Sequence, residues 1–145
     1  MIIREAEPVD LIKILKLYSF LHDDENDDVT VLRKDTWDKI MADPNHHVAV
    51  ALVEDKFVSS CVCLIVPNLS RNGRPYALVE NVVTDPKHRR KKYASQCLNF
   101  AKEIAKSQNC YKIMLLTGHK EKAVLEFYRR AGYNSEDKTA FIQWI

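Results

Sequence analysis

No run of eighteen apolar residues occurs in this chain, and nothing like a secretory leader precedes its first amphipathic segment, so neither a membrane span nor export is expected. The expected location is cytoplasmic. Charge of one sign is lacking too. With 22 Lys and Arg against 20 Asp and Glu, the net charge of +2 gives no general attraction to nucleic acid, and neither nucleic acid nor membrane is expected as a partner. Paired C-x-x-C spacing is absent, which argues against a zinc site; no metal is expected. Cys61, Cys63, Cys97 and Cys110 read instead as reduced core residues. No repeat, low-complexity stretch or linker divides the 145 residues, a length near the commonest domain size, so residues 1–145 read as one domain with one core.

Basicity, absent from the whole, is concentrated in one place. The apolar stretch Val79–Thr84 reaches a turn at Asp85-Pro86, and Lys87-His88-Arg89-Arg90-Lys91-Lys92 then leads into a helix. In that helix Ala94, Cys97, Leu98, Ala101, Ile104 and Ala105 recur at the 3.6-residue spacing of a buried stripe. The first N–H groups of a helix have no intrahelical partner and the dipole adds positive charge, so this junction suits a diphosphate. A solvated basic face is the bland alternative. The position of the run, between a buried strand and a buried helix, weighs against a localisation tag.

The rest of the chain alternates in kind. Ile2–Arg4 reads as a strand, followed by a helix with the stripe Leu11, Ile14, Leu15, Tyr18 and Leu21. The acidic run His22–Asp28 reads as a loop, either a solvated connector or a lure for a cationic substrate. A second helix is expected over Leu32–Met41, ending at Asp43-Pro44. Val48–Val53 and Val58–Val66 form a hairpin, and Tyr76–Thr84 returns antiparallel, carrying Glu80 to the centre of the sheet. Tyr111–Leu116 is expected parallel to it, because a helix separates the two. A last helix over Ala123–Ala131 is capped by Gly132, and Ala140–Ile145 is expected to complete the sheet. The fold class is α/β: one mixed sheet with helices on its faces.

Two segments carry a resemblance. Arg89-Arg90-Lys91-Lys92-Tyr93-Ala94, between strand and helix, resembles the acetyl-CoA signature Gln/Arg-x-x-Gly-x-Gly/Ala of the GCN5-related N-acetyltransferases (GNAT), with Lys92 in place of the first glycine. Phe127-Tyr128-Arg129-Arg130-Ala131-Gly132-Tyr133 is similar to the family's second signature, Phe-Tyr-x-x-x-Gly-Phe/Tyr. Both stand in the family's order, and with the N-terminal pattern the resemblance covers nearly the whole chain.

The resemblance implies a mostly antiparallel sheet whose two parallel central strands splay apart, with helices on both faces. It implies acetyl-CoA as cosubstrate, an amine acceptor, and a homodimer as in many relatives. Pantetheine would pair with the strand backbone at Val82, Val83 and Thr84, and the pyrophosphate would lie at Arg89, Arg90, Lys91, Lys92, Tyr93 and Ala94. A lysine in a left-handed conformation costs roughly 1–2 kcal/mol, so Lys92 is expected to have ordinary helical angles. Tyr128 matches the family's general acid, its alternative role being a core aromatic. Glu80 matches the carboxylate that activates the amine, its alternative a surface carboxylate; His22 and His119 are further candidate bases. Glu121 replaces the asparagine many relatives use on the coenzyme, and that contact is not carried over. The implied activity is an acetyl-CoA-dependent N-acetyltransferase acting by direct attack in a ternary complex. The alternative is a non-catalytic acyl-CoA-binding or regulatory module of the same fold.

Overall fold

The computed structural model describes residues 1–22 and 26–145. The strands are β1 (Ile2–Glu5), β2 (His46–Val53), β3 (Lys56–Val66), β4 (Tyr76–Thr84) and β5 (Ile113–Leu115), ordered β1-β2-β3-β4-β5 in one sheet. All neighbours are antiparallel except β4 and β5, which run parallel, as the intervening helix requires. The helices are α1 (Leu11–Tyr18), α2 (Val31–Ala42), α3 (Tyr93–Ser107) and α4 (Lys122–Arg130).

Both faces are covered. Cys61, Cys63, Ala77 and Val79 pack against Cys97, Leu98, Ala101 and Ala105 of α3, with Phe127 and Tyr128 of α4 on the same side. Val48, Val50, Val62 and Val83 pack on the other side against Ile14, Leu17 and Trp37. This is why β2 and β3 are near-continuous apolar runs rather than alternating ones. Small residues let α3 sit close to the sheet; the Cys63 thiol lies 3.7 Å from the Ala101 carbonyl. All four cysteines are unpaired thiols.

Local chemistry explains the joints. A two-residue turn with positive φ at Glu54 and Asp55 closes the β2–β3 hairpin. Asp10, 2% exposed, accepts from both terminal nitrogens of the Arg4 guanidinium at 2.7 and 3.2 Å and from the Glu7 N–H at 2.9 Å, which fixes the start of α1 to β1. Thr30 caps α2 by accepting from Arg33 N–H at 3.2 Å, and Trp37 Nε1 donates to the Pro8 carbonyl at 2.9 Å.

Four expectations are corrected. Ala140–Ile145 adds no strand, and Phe141, Trp144 and Ile145 are exposed. The adjacent edge strand β5 is three residues long instead of the expected six at 111–116 and offers few backbone partners to a further strand. The parallel pair accordingly lies at the edge of the sheet among the described residues, not in its middle. Helix α1 also ends at Tyr18; Leu21 follows in a turn yet still packs on the same core. Asp23, Asp24 and Glu25 of the acidic run lie outside the described residues.

Candidate active site

The site begins with a mismatch in strand length. β4 pairs with β5 at Ala77–Ile113, Leu78–Met114 and Val79–Leu115, and there β5 stops, whereas β4 continues to Thr84. Beyond Val79 no strand pairs with the outer edge of β4 among the described residues, and this unpaired stretch runs on to Thr84. Within it a bulge interrupts the pairing with β3 between Ser60 and Val62, and Asn81 on the β4 side has φ +50°. Asparagine is among the few residues that enter this region at small cost. The bulge turns successive peptide groups away from the regular ladder. Val82 packs toward α3 and Val83 toward α1, and the Val83 carbonyl accepts from the Ser59 hydroxyl at 2.8 Å.

At the end of β4, Asp85 accepts from Lys87 N–H at 2.8 Å and lies 3.1 Å from His88 Nδ1, bending the chain into a turn at Pro86–His88. Partial burial pushes the Asp85 carboxyl up, but these two partners hold it below the usual range. Helix α3 then starts at Tyr93. Gln96 donates its N–H to the Lys92 carbonyl at 3.1 Å, so the N–H groups of Tyr93, Ala94 and Ser95 precede the helix's own bonding pattern. Arg89, Arg90, Lys91 and Lys92 are exposed around this end, and none forms an ion pair among the described residues.

Here a further expectation fails. Lys92 is left-handed, φ +65° and ψ +12°, and Arg90 also has φ +62°. The chain must reverse within a few residues to pass from the turn into α3, and it keeps the left-handed geometry a glycine would adopt freely, at a cost of roughly 1–2 kcal/mol per residue. A left-handed Lys92 followed by the right-handed start of α3 aims neighbouring N–H groups to one side, the arrangement of an anion nest.

Tyr128 stands on α4, on the α3 side of the sheet. It is half-buried, its ring 5.0 Å from Phe127 and 6.3 Å from Tyr133 in edge-on contacts. Gly132, φ +95°, ends the helix, and Tyr133 N–H bonds back to the Tyr128 carbonyl at 3.1 Å, which folds Tyr133 over Tyr128. Burial, then the neighbouring Cys61, pushes the Tyr128 phenol above its ordinary value, so it keeps its proton at neutral pH. The Tyr133 hydroxyl is buried and unpartnered.

Glu80 is exposed and lines a cavity of about 480 Å³ on the other face, between α1, α2 and the sheet. The cavity floor includes Val48, Val62 and Glu80, aligned across three strands, and the walls include Leu11, Ile14, Leu15, Leu32, Trp37, Ile40 and Leu64. Tyr18 and Asn81 join Glu80 at its polar end, where burial pushes the Tyr18 phenol up to about 12 and Asn81 and Ser60 face it. His22 and His119 are not part of this wall; His119 is exposed and lies 3.4 Å from Glu121.

The structure thus gathers Val82–Thr84 and residues 89–94 along one continuous path, and sets Tyr128 and Glu80 on opposite faces of the opened sheet. The sequence marks Tyr18 only as part of an apolar stripe and leaves Asn81 without a role, although an asparagine inside an apolar strand signals a bulge. Among the described residues no three His, Cys, Asp or Glu side chains converge, and no helix is long and apolar enough to cross a membrane.

A mixed five-stranded sheet with helices on both faces is the fold of known acetyltransferase structures. The family model described as Acetyltransferase (GNAT) family matches residues 12–133, and the chain belongs to that family. It is 37% identical to a candidate acetyltransferase from Agrobacterium tumefaciens str. C58, covering 100% of both chains with a TM-score of 0.94. It is 30% identical over 83 residues to a glucosamine 6-phosphate N-acetyltransferase of Trypanosoma brucei brucei, 57% of this chain and 54% of that one, so the chain spans about half the relative's length. Its fold also matches the aminoglycoside N-acetyltransferase AAC(6')-Iy in complex with CoA: 12% identity, 99% of each chain, TM-score 0.78.

Proposed function

We propose that residues 1–145 form one acetyl-CoA-dependent N-acetyltransferase domain that transfers an acetyl group to a primary amine by direct attack in a ternary complex. One observation carries the reading: β4 outruns β5, and its open edge leads without interruption to the unpaired N–H groups and four cations at the start of α3. That edge fits the two amides of pantetheine by strand addition, and the helix start fits a diphosphate. The CoA complex of the aminoglycoside enzyme of the same fold supports this choice of ligand.

When bound, acetyl-CoA supplies an acetyl group on a thioester. Glu80 takes a proton from the incoming ammonium so that a neutral amine attacks. Backbone N–H groups at the Asn81 bulge, near Val82, stabilise negative charge on the carbonyl oxygen. Tyr128 holds at Oη the proton that the departing thiolate needs.

The reading includes a cytoplasmic location, in keeping with four unpaired thiols. It also includes a homodimer. The edge of β5 and the apolar tail of Phe141, Ile142, Trp144 and Ile145 are both uncovered, and a second copy satisfies both at once. The deciding experiment is a coenzyme-release assay over an amine panel with Tyr128→Phe as control. Turnover lost in the variant supports the transferase; tight acetyl-CoA binding without turnover on any amine replaces it by a non-catalytic acyl-CoA-binding module.

A further inference from the structure

The cavity lined by Glu80 is mainly apolar: Leu15, Trp37, Ile40 and Leu64 line its body, and its polar groups are Glu80, Asn81 and Tyr18 together with Arg33, Thr36 and His46. Among Lys and Arg, the wall contains Arg33 alone, and its guanidinium Nη1 already donates to the Asn26 carbonyl at 2.8 Å, to Asn26 Oδ1 at 3.0 Å and to the Asp28 carbonyl at 3.1 Å. His46, the other basic group of the wall, is held neutral near pH 7 because burial lowers its pKa. A phosphate or a polyhydroxylated ring seated here would lose its water to apolar walls that return few hydrogen bonds. An ammonium, by contrast, has a carboxylate to meet, and an apolar body has walls to bury against.

We propose that the acceptor is a primary amine carried on an aromatic or alkyl body, bound with its ammonium at Glu80 and its body between Trp37 and Leu64, rather than a phosphorylated amino sugar. The assignment rests on the transferase reading only for the role of the bound amine. It separates this chain from the Trypanosoma relative, which is named for glucosamine 6-phosphate.

The test is calorimetric titration of the full chain, with and without CoA, using 2-phenylethylamine, hexylamine and glucosamine 6-phosphate, alongside an acetylation assay on the same three. The apolar amines are expected to bind at least tenfold more tightly than the sugar phosphate. Leu64→Ser is expected to reduce that preference at least fivefold. Leu32→Lys, a change at a wall position that is 76% exposed and therefore harmless to folding, is expected to weaken the amines in the same way by adding a like charge. Equal or tighter binding of glucosamine 6-phosphate, or a preference that neither variant changes, overturns the proposal. The two readings fail separately. Turnover of the sugar phosphate in preference to the amines removes this proposal and leaves the transferase, whereas selective amine binding without any turnover leaves this proposal and removes the transferase.

Discussion

At the scale of single residues, Lys92 concentrates the tension between folding and ligand binding. It supplies a cation beside the proposed diphosphate site while holding a left-handed backbone. Lys92→Gly is expected to raise unfolding free energy by about 1 kcal/mol, since relief of the strain exceeds the extra entropy of glycine in the unfolded chain. Urea denaturation checks it, and an unchanged midpoint would mean the lysine is not strained. For Tyr128→Phe, kcat is expected to fall by roughly 10²-fold with acetyl-CoA affinity nearly constant, the mark of a proton donor rather than a binding group. Because burial raises the phenol's pKa, the alkaline fall of the wild-type rate attributable to Tyr128 belongs above its ordinary value of 10.0. Acid acts elsewhere. Asp10 is pushed up by burial but held lower overall by Arg4 and the Glu7 N–H, and Asp85 is likewise lowered. Both therefore bind protons more readily when unfolded. Their stabilisation is complete above the ordinary value of 3.8 and is lost as the pH falls below it, which a thermal-melt series from pH 6 to pH 2 reads directly.

At the scale of elements, α2 and α3, on opposite faces of the sheet, differ in how they are held. α3 buries Cys97, Leu98, Ala101 and Ala105 against the sheet, whereas α2 buries Trp37 alone and leaves Val31 and Leu32 in solvent. Few buried contacts mean a low free energy of local opening. Amides of α2 are therefore expected to exchange at least tenfold faster than those of Cys97–Ala105, as native-state hydrogen exchange will measure; equal protection would show that α2 is held by more than its tryptophan. The difference bears on function, because α2 forms one wall of the acceptor cavity while α3 anchors the proposed coenzyme end.

At the scale of the molecule, the uncovered tail and the short edge strand lead to a prediction about assembly. Sedimentation of the full chain is expected to give a dimer, and removal of residues 139–145 a monomer with the sheet intact by circular dichroism. A full chain that stays monomeric at high micromolar concentration would refute the arrangement.

Much of this was legible in the amino acids because the signals are local. Apolar periodicity marked β1 to β4 and the four helices to within a few residues, Gly132 marked the end of α4, and the basic run before Tyr93 marked an anion-binding helix start. The sequence likewise determined the polar and apolar character of every wall described above. Only the tertiary structure decided the hand of Lys92, the early end of β5, the isolation of the tail and the meeting of Tyr18, Asn81 and Glu80 around one cavity. The physical reason is range: propensity and pattern act over a turn or two of chain. Where two strands part, which backbone must bend to rejoin a helix, and which side chains end up facing one another depend on elements tens of residues apart packing at once.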